Sequence, residues 1–242
     1  MNGFVTPTSA RWPPTLPSTS RVRVFVDADV LASPVPRTIL YLARPLSDYE
    51  LVYSQFVETE AERHQKAAHI PVSTLRQRWD WQIVPDAENE DIAGLSDTDD
   101  KDKPVLAAAM AARATFVVTG NVRHFGAGDL STHSLSAVHP GLFLSHHITS
   151  ETYREVLEAV AENRAREPRE PLAIHEQEIA VHLPALFVAY RDLFGPPALD
   201  ATHRPPAVPF RGVRCVRCTR RLEVAQATTT GLCDTCRADT GS

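Results

Sequence analysis

Between residues 21 and 150, short apolar runs alternate with stretches of helical character, and few folds accept that alternation. Residues 22–26 read as a strand, 37–43 as a helix and 50–53 as a short strand. Ser54 is placed to cap a helix running to about residue 68, and 79–84 is apolar enough for an edge strand. Residues 86–102 hold eight Asp or Glu against one Lys, the composition of an acidic loop. PVLAAAMAARA, from Pro104, reads as a helix with proline in its first turn. TFVVTG reads as a strand with a sharp end, and 142–144 as a weaker strand. Strands separated by helices imply a parallel sheet with right-handed crossovers, hence a three-layer α/β fold with helices on the sheet.

The rest of the chain reads as accessories. Residues 151–166 and 175–194 are amphipathic helices that form an extension, and Pro184 is expected to kink the second. Residues 195–210 form a linker with five prolines, stiff and extended, so that 211–242 is a separate, tethered unit with few contacts to the core. Residues 1–20, with four prolines and many Ser and Thr, read as a disordered tail. That tail lacks the apolar segment of a signal peptide, and no apolar run approaches the roughly 20 residues that span a membrane, so a cytoplasmic protein is expected. A net charge of −5 excludes a globally basic nucleic-acid binder but not a local basic patch.

The chemistry is suggested by acids. In FVDADVLAS, Asp27 ends the first strand and Asp29 follows two residues later. Ligands of open α/β sheets bind at the carboxyl ends of strands, although Asp also starts turns well. Asp102 precedes the helix near Pro104, with Asp99 and Asp100 just before it, where acids also favour a helix dipole. In the helix after Ser54, Phe56, Val57, Glu60, Ala61 and His64 share an arc of about 140°, which turns Glu60 inward and leaves Glu58 and Glu62 outside. The strand VVTGN ends in Thr119, Gly120 and Asn121, a hydroxyl and an amide at a strand tip. An all-oxygen cluster of this kind suits Mg²⁺ or Mn²⁺.

The ordered set FVDADVLAS, SQFVETE, DDKDKPVLAAA and VVTGNVRHF resembles PIN-domain nucleases, especially toxins of the VapC type. The resemblance covers roughly 21–150 and implies a PIN-like sheet domain with endoribonuclease activity dependent on Mg²⁺ or Mn²⁺. It maps the catalytic, metal-holding acids onto Asp27, Glu60 and Asp102, and the fourth catalytic position, often Asp, onto Asn121. Thr119 and Asp99 are supporting residues on this reading. Asn121 removes one negative charge from the expected set. The implied partners are RNA and an antitoxin or other regulatory protein, with a second copy of the chain as a further candidate.

Two other readings use the same residues. DADVL and VVTGN also resemble haloacid-dehalogenase-like phosphotransferases, with Asp27 as nucleophile and Asp29 as acid/base. That reading requires a later Lys or Arg and a later acidic pair; Lys66, Lys101 and Lys103 all precede Thr119, and no Gly-Asp-x-x-x-Asp follows. Alternatively the domain is a catalytically weak RNA- or protein-binding module in a larger assembly. HEQEI at 175–179 is not HExxH, and His124, His146 and His147 read as surface or turn residues.

All four cysteines fall near the end of the chain as Cys215-x2-Cys218 and Cys233-x2-Cys236, with 14 residues between the pairs. Clustering of this kind points to metal rather than to a disulfide framework, and two CxxC pairs suggest a closed, structural zinc site of four thiolates in a zinc-ribbon unit. Arg214, Arg217, Arg220 and Arg221 around it are candidates for contacting RNA phosphates, and contact with a protein partner is the equal alternative for this unit.

Overall fold

A computed structural model of the chain describes residues 21–79, 81–164, 167–195, 207–222 and 230–239. The expected tail at 1–20 and most of the expected linker lie outside the described residues. The framework is a six-stranded sheet: β1 (Val22–Val26), β2 (Tyr49–Ser54), β3 (Gln82–Val84), β4 (Phe116–Val118), β5 (Ser136–Val138) and β6 (Phe210–Gly212). Their order is β3-β2-β1-β4-β5-β6. The pairs among β1 to β5 are parallel, whereas β6 runs antiparallel to β5.

Helices flank the sheet. They are α1 (Ala28–Ala32), α2 (Pro34–Ala43), α3 (Gln55–His64), α4 (Val72–Trp79), α5 (Asn89–Ala93), α6 (Lys103–Ala111) and α7 (Ala127–Thr132). The series continues with α8 (Pro140–His147), α9 (Ser150–Glu162), α10 (Pro171–Ile174), α11 (Ala180–His182), α12 (Pro184–Ala189) and α13 (Asp234–Ala238). None of them is long and apolar enough to cross a membrane.

The central strands explain the apolar runs. Val24, Phe25 and Val26 of β1 and all of β4 are buried, as expected of parallel strands covered on both faces. From β1 the chain steps outward through β2 to β3, then returns to place β4 on the other side of β1. That reversal opens a crevice at the carboxyl ends of β1 and β4, where open α/β sheets bind ligands. Val26 pairs in register with Val118, so the next residues, Asp27 and Thr119, leave the sheet side by side.

Four expectations are corrected. Residues 142–144 belong to α8, because Pro140 sits in its first turn and the His139 ring accepts the Gly141 N–H at 3.2 Å; the fifth strand is Ser136–Val138. Trp79 ends α4, leaving only Gln82–Val84 as edge strand. The expected helix over 175–194 is broken into a π-helical turn (His175–Ile179), α11 and α12, with Pro184 starting α12. The π-turn carries His175 into the core, where its Nδ1 meets the Tyr153 hydroxyl at 2.7 Å.

The fourth correction is the largest. The cysteine unit is not held apart on a tether: β6 completes the sheet against β5, pairing Val138 with Phe210 and Ser136 with Gly212. Ser136 Oγ accepts the Arg214 N–H at 2.8 Å, and the His139 N–H reaches Pro209 O at 2.8 Å. His147, expected at the surface, is buried with its Nε2 2.6 Å from Val216 O and its Nδ1 3.0 Å from Asp48 Oδ1. The physical cause is apolar area. Phe210, Val213, Val216, Leu222 and Leu232 are all buried in the folded chain, and a unit this small has no core of its own in which to hide them.

Candidate functional site

The crevice at β1 and β4 gathers carboxylates from three elements. Asp27 is the N-cap of α1: its Oδ1 accepts the Ala28 N–H at 2.6 Å, and its Oδ2 accepts the Thr119 hydroxyl at 2.7 Å. The residue is only 4% exposed. Asp29, in the first turn of α1, accepts at Oδ2 from the Gly120 N–H (3.0 Å) and from Asn121 Nδ2 (3.1 Å). Its Oδ1 is buried and has no hydrogen-bond partner among the described residues. Gly120 permits this approach, since a Cβ there would stand 2.7 Å from Asp29 Oδ2. Asn121 thus touches the site through Asp29, and its own N–H donates to Thr119 Oγ1 at 2.9 Å.

Asp102 sits at the start of α6, its Oδ2 3.2 Å from His124 Nδ1; Asp99 Oδ2 is 3.7 Å from the same nitrogen. Asp99, Asp102 and His124 can offer ligand atoms all within 4.8 Å of one another. Asp27, Glu60 and Asp102 form no triad at that spacing, but they share one electrostatic field.

That field and burial together disfavour the charged carboxylates. Burial pushes the Asp27 carboxyl up to about 6, against the Thr119 and Ala28 hydrogen bonds, and the charges of Asp102 and Glu60 add to it. Burial and then the Asp27 charge hold Asp29 well above the usual carboxylate range. Asp102 is raised by burial, opposed by His124 and reinforced by Asp99 and Glu60. A carboxylate cluster that resists ionisation in this way could hold a metal ion.

The helix phase at α3 needs correction. Glu58, expected outside, is 3% exposed and accepts hydrogen bonds from Tyr53 Oη (3.2 Å) and Arg76 Nε (2.9 Å). Phe56 and His64, expected inside, are exposed. Glu60 is half-buried and acts on Asp27 and Asp102. Sequence reasoning also passed over Asp129. Its carboxylate accepts the N–H groups of Ser96 (3.2 Å), Asp97 (3.0 Å) and Thr98 (2.8 Å), which anchors the acidic loop leading to Asp99 and Asp102. Burial alone would raise Asp129, and these donors outweigh it to hold the group below its ordinary value. His124 was missed as well, since a histidine in a short turn carries no local signal of the loop it will meet.

The second cluster is thiol. Sulfurs of Cys215, Cys218, Cys233 and Cys236 lie within 4.8 Å of one another, and none is in a disulfide. Cys215 and Cys218 flank a tight turn in which the Thr219 N–H donates to Cys215 O at 2.9 Å. Cys233 is the N-cap of α13, which carries Cys236. Four soft donors at this spacing can bind a zinc ion. Of the arginines around them, Arg217, Arg220 and Arg221 are solvent-accessible at the surface, while Arg214 is half-buried.

No family model, no curated protein and no solved structure matches this chain.

Proposed function

We propose that the chain is a PIN-like endoribonuclease that hydrolyses RNA phosphodiester bonds with Mg²⁺ or Mn²⁺. The observation that carries this reading is the crowding of Asp27, Asp29, Glu60 and Asp102 at the sheet's switch point, with Asp27 buried, the other three half-buried and all in one field. Asp27, Glu60 and Asp102 are the residues that the resemblance assigns to the ion; of these Asp102 already lies at ligand spacing from others, Asp99 and His124, and Asp27 and Glu60 would have to close on it. Once bound, it would activate a water and stabilise the leaving oxygen. Thr119 fixes one oxygen of Asp27. Gly120 and Asn121 fix one oxygen of Asp29 and leave the other without a hydrogen-bond partner among the described residues. His124, against Asp102 and Asp99, is a group able to return a proton to the leaving oxygen. Zn²⁺ in the cysteine cluster is structural on this reading, since four thiolates leave no open position.

The test is cleavage of a mixed RNA pool with and without Mn²⁺, with the cleaved ends sequenced. Asp102→Asn is expected to lose about 100-fold or more in rate with a melting temperature no lower than the wild type's. Absence of cleavage by the wild-type protein in either metal would leave a binding module, and full activity in Asp102→Asn would end the assignment.

A further inference from the structure

A cleft of about 410 Å³ opens at the other end of the strands, where β4 and β5 begin. It is lined among others by Arg113, Thr115, His133, Ser134, Arg214 and Thr219. The acid cluster lies at the carboxyl ends of the same sheet, so the two sites are separated by the body of β4.

Three features of this cleft bear on what it holds. First, its lining contains two arginines and a histidine but no carboxylate, in a chain whose net charge is −5. Neither Arg113 nor Arg214 has an ion-pair partner among the described residues. Second, Arg214 is positioned in advance: its Nε donates to Ser134 O at 3.0 Å and its Nη1 to Thr219 O at 3.4 Å. A guanidinium already held by carbonyls loses little freedom on meeting an anion. Third, the non-glycine residues with left-handed backbone among the described residues are Arg113 (φ 54°), Ser134 (φ 55°) and Thr219 (φ 59°), and all three line this cleft. Arg113 and Ser134 take this conformation as the residues that end α6 and α7, where the Ala114 N–H reaches Ala109 O and the Leu135 N–H reaches Leu130 O, both at 2.9 Å, and Thr219 closes the turn at Cys215, so three hydrogen-bonded turns wall the cleft.

We infer that this cleft binds a phosphomonoester ligand of nucleotide size. A dianionic phosphate matches two guanidinium charges, and the volume falls in the range of small-ligand pockets, about 300–1,000 Å³. Its source is either a free nucleotide or the phosphorylated end of an RNA chain. The inference stands apart from the nuclease reading, because it concerns binding at a different edge of the sheet.

Isothermal titration of the full-length, zinc-loaded protein in magnesium-free buffer tests it. The probes are 5′-AMP, adenosine, and a short oligoribonucleotide carrying either a 5′-phosphate or a 5′-hydroxyl. Binding of 5′-AMP but not adenosine assigns the free nucleotide. A clear advantage of the 5′-phosphate oligomer over the 5′-hydroxyl one, without binding of 5′-AMP, assigns the RNA end. In either case Arg113→Gln is expected to weaken binding about tenfold, and Asp102→Asn to leave it unchanged. Arg214→Lys, which keeps the charge but loses the fork, serves as the second variant should Arg113→Gln fail to fold. Failure of every phosphorylated probe to bind, equal binding of the two oligomers without binding of 5′-AMP, or binding that survives both variants overturns the site, whatever the cleavage assay shows.

Discussion

On α3, Val57 and Ala61 are fully buried, and at about 100° per residue Glu58 and Glu60 lie about 80° to either side of them. Symmetry of that kind is why the sequence could not choose between the two acids: taking Phe56 as an inward residue tilts the arc towards Glu60, whereas the folded chain leaves Phe56 exposed. The two carboxylates then have separate tasks. Glu58→Gln removes the charge paired with a guanidinium and is expected to cost about 1–3 kcal/mol of stability with little change in cleavage. Glu60→Gln is expected to do the reverse, and denaturant melts beside cleavage rates will separate them. Asp27, Asp102, Thr119 and Asn121 were legible because strand ends and helix starts are written locally. Asp29's tie to Gly120 and His124's to Asp102 are contacts across the fold, which local pattern does not encode. Asp27 also sets a pH dependence. Its carboxyl titrates near 6 in the folded chain against an ordinary 3.8, so the folded state holds this proton more tightly than the unfolded one. The contribution is therefore fully present below about pH 4 and is lost as pH rises through 6. Without divalent metal, Asp27→Asn is expected to exceed the wild type in stability by about 2–3 kcal/mol at pH 8, the gap closing near pH 4. Added Mg²⁺ should raise the wild-type melting temperature more than the variant's.

At the level of elements, β1, β4, α3 and α6 were readable from apolar runs, a capping serine and a first-turn proline. The errors came where short apolar segments carry no period. LFL at 142–144 suits a strand as well as a buried helix, and only His139 and Pro140 before it decide for the helix. The partnership of β5 with β6 was illegible for another reason: FRG is too short to announce a strand, and a proline-rich segment before it suggests separation. Gly212 shows how tight that partnership is. Its φ is +136°, and a Cβ there would stand 2.5 Å from both Ser136 Cα and Ser136 Oγ. Gly212→Ala is therefore expected to destabilise by about 2 kcal/mol or more, with amide exchange accelerating first in Ser136–Val138.

For the whole molecule, the cysteine unit is part of the sheet, so a metal ion held by its four thiols should report on global stability. Stripping zinc with a strong chelator, or Cys215→Ser, is expected to lower the melting temperature of the entire chain in one transition and to expose β5 to amide exchange. A chelated protein that loses order only over 207–239 would restore the tethered picture. The same pairing sets a timetable for biosynthesis. At about 5–20 residues per second, β5 leaves the ribosome about 4–15 seconds before β6 does. During that interval its outer backbone groups are an unpaired edge, the kind of surface on which nascent chains aggregate or chaperones settle. The strands and helices that carry Asp27, Glu60 and Asp102 are by then already made, so the acid cluster can assemble on a sheet whose last strand is still being translated.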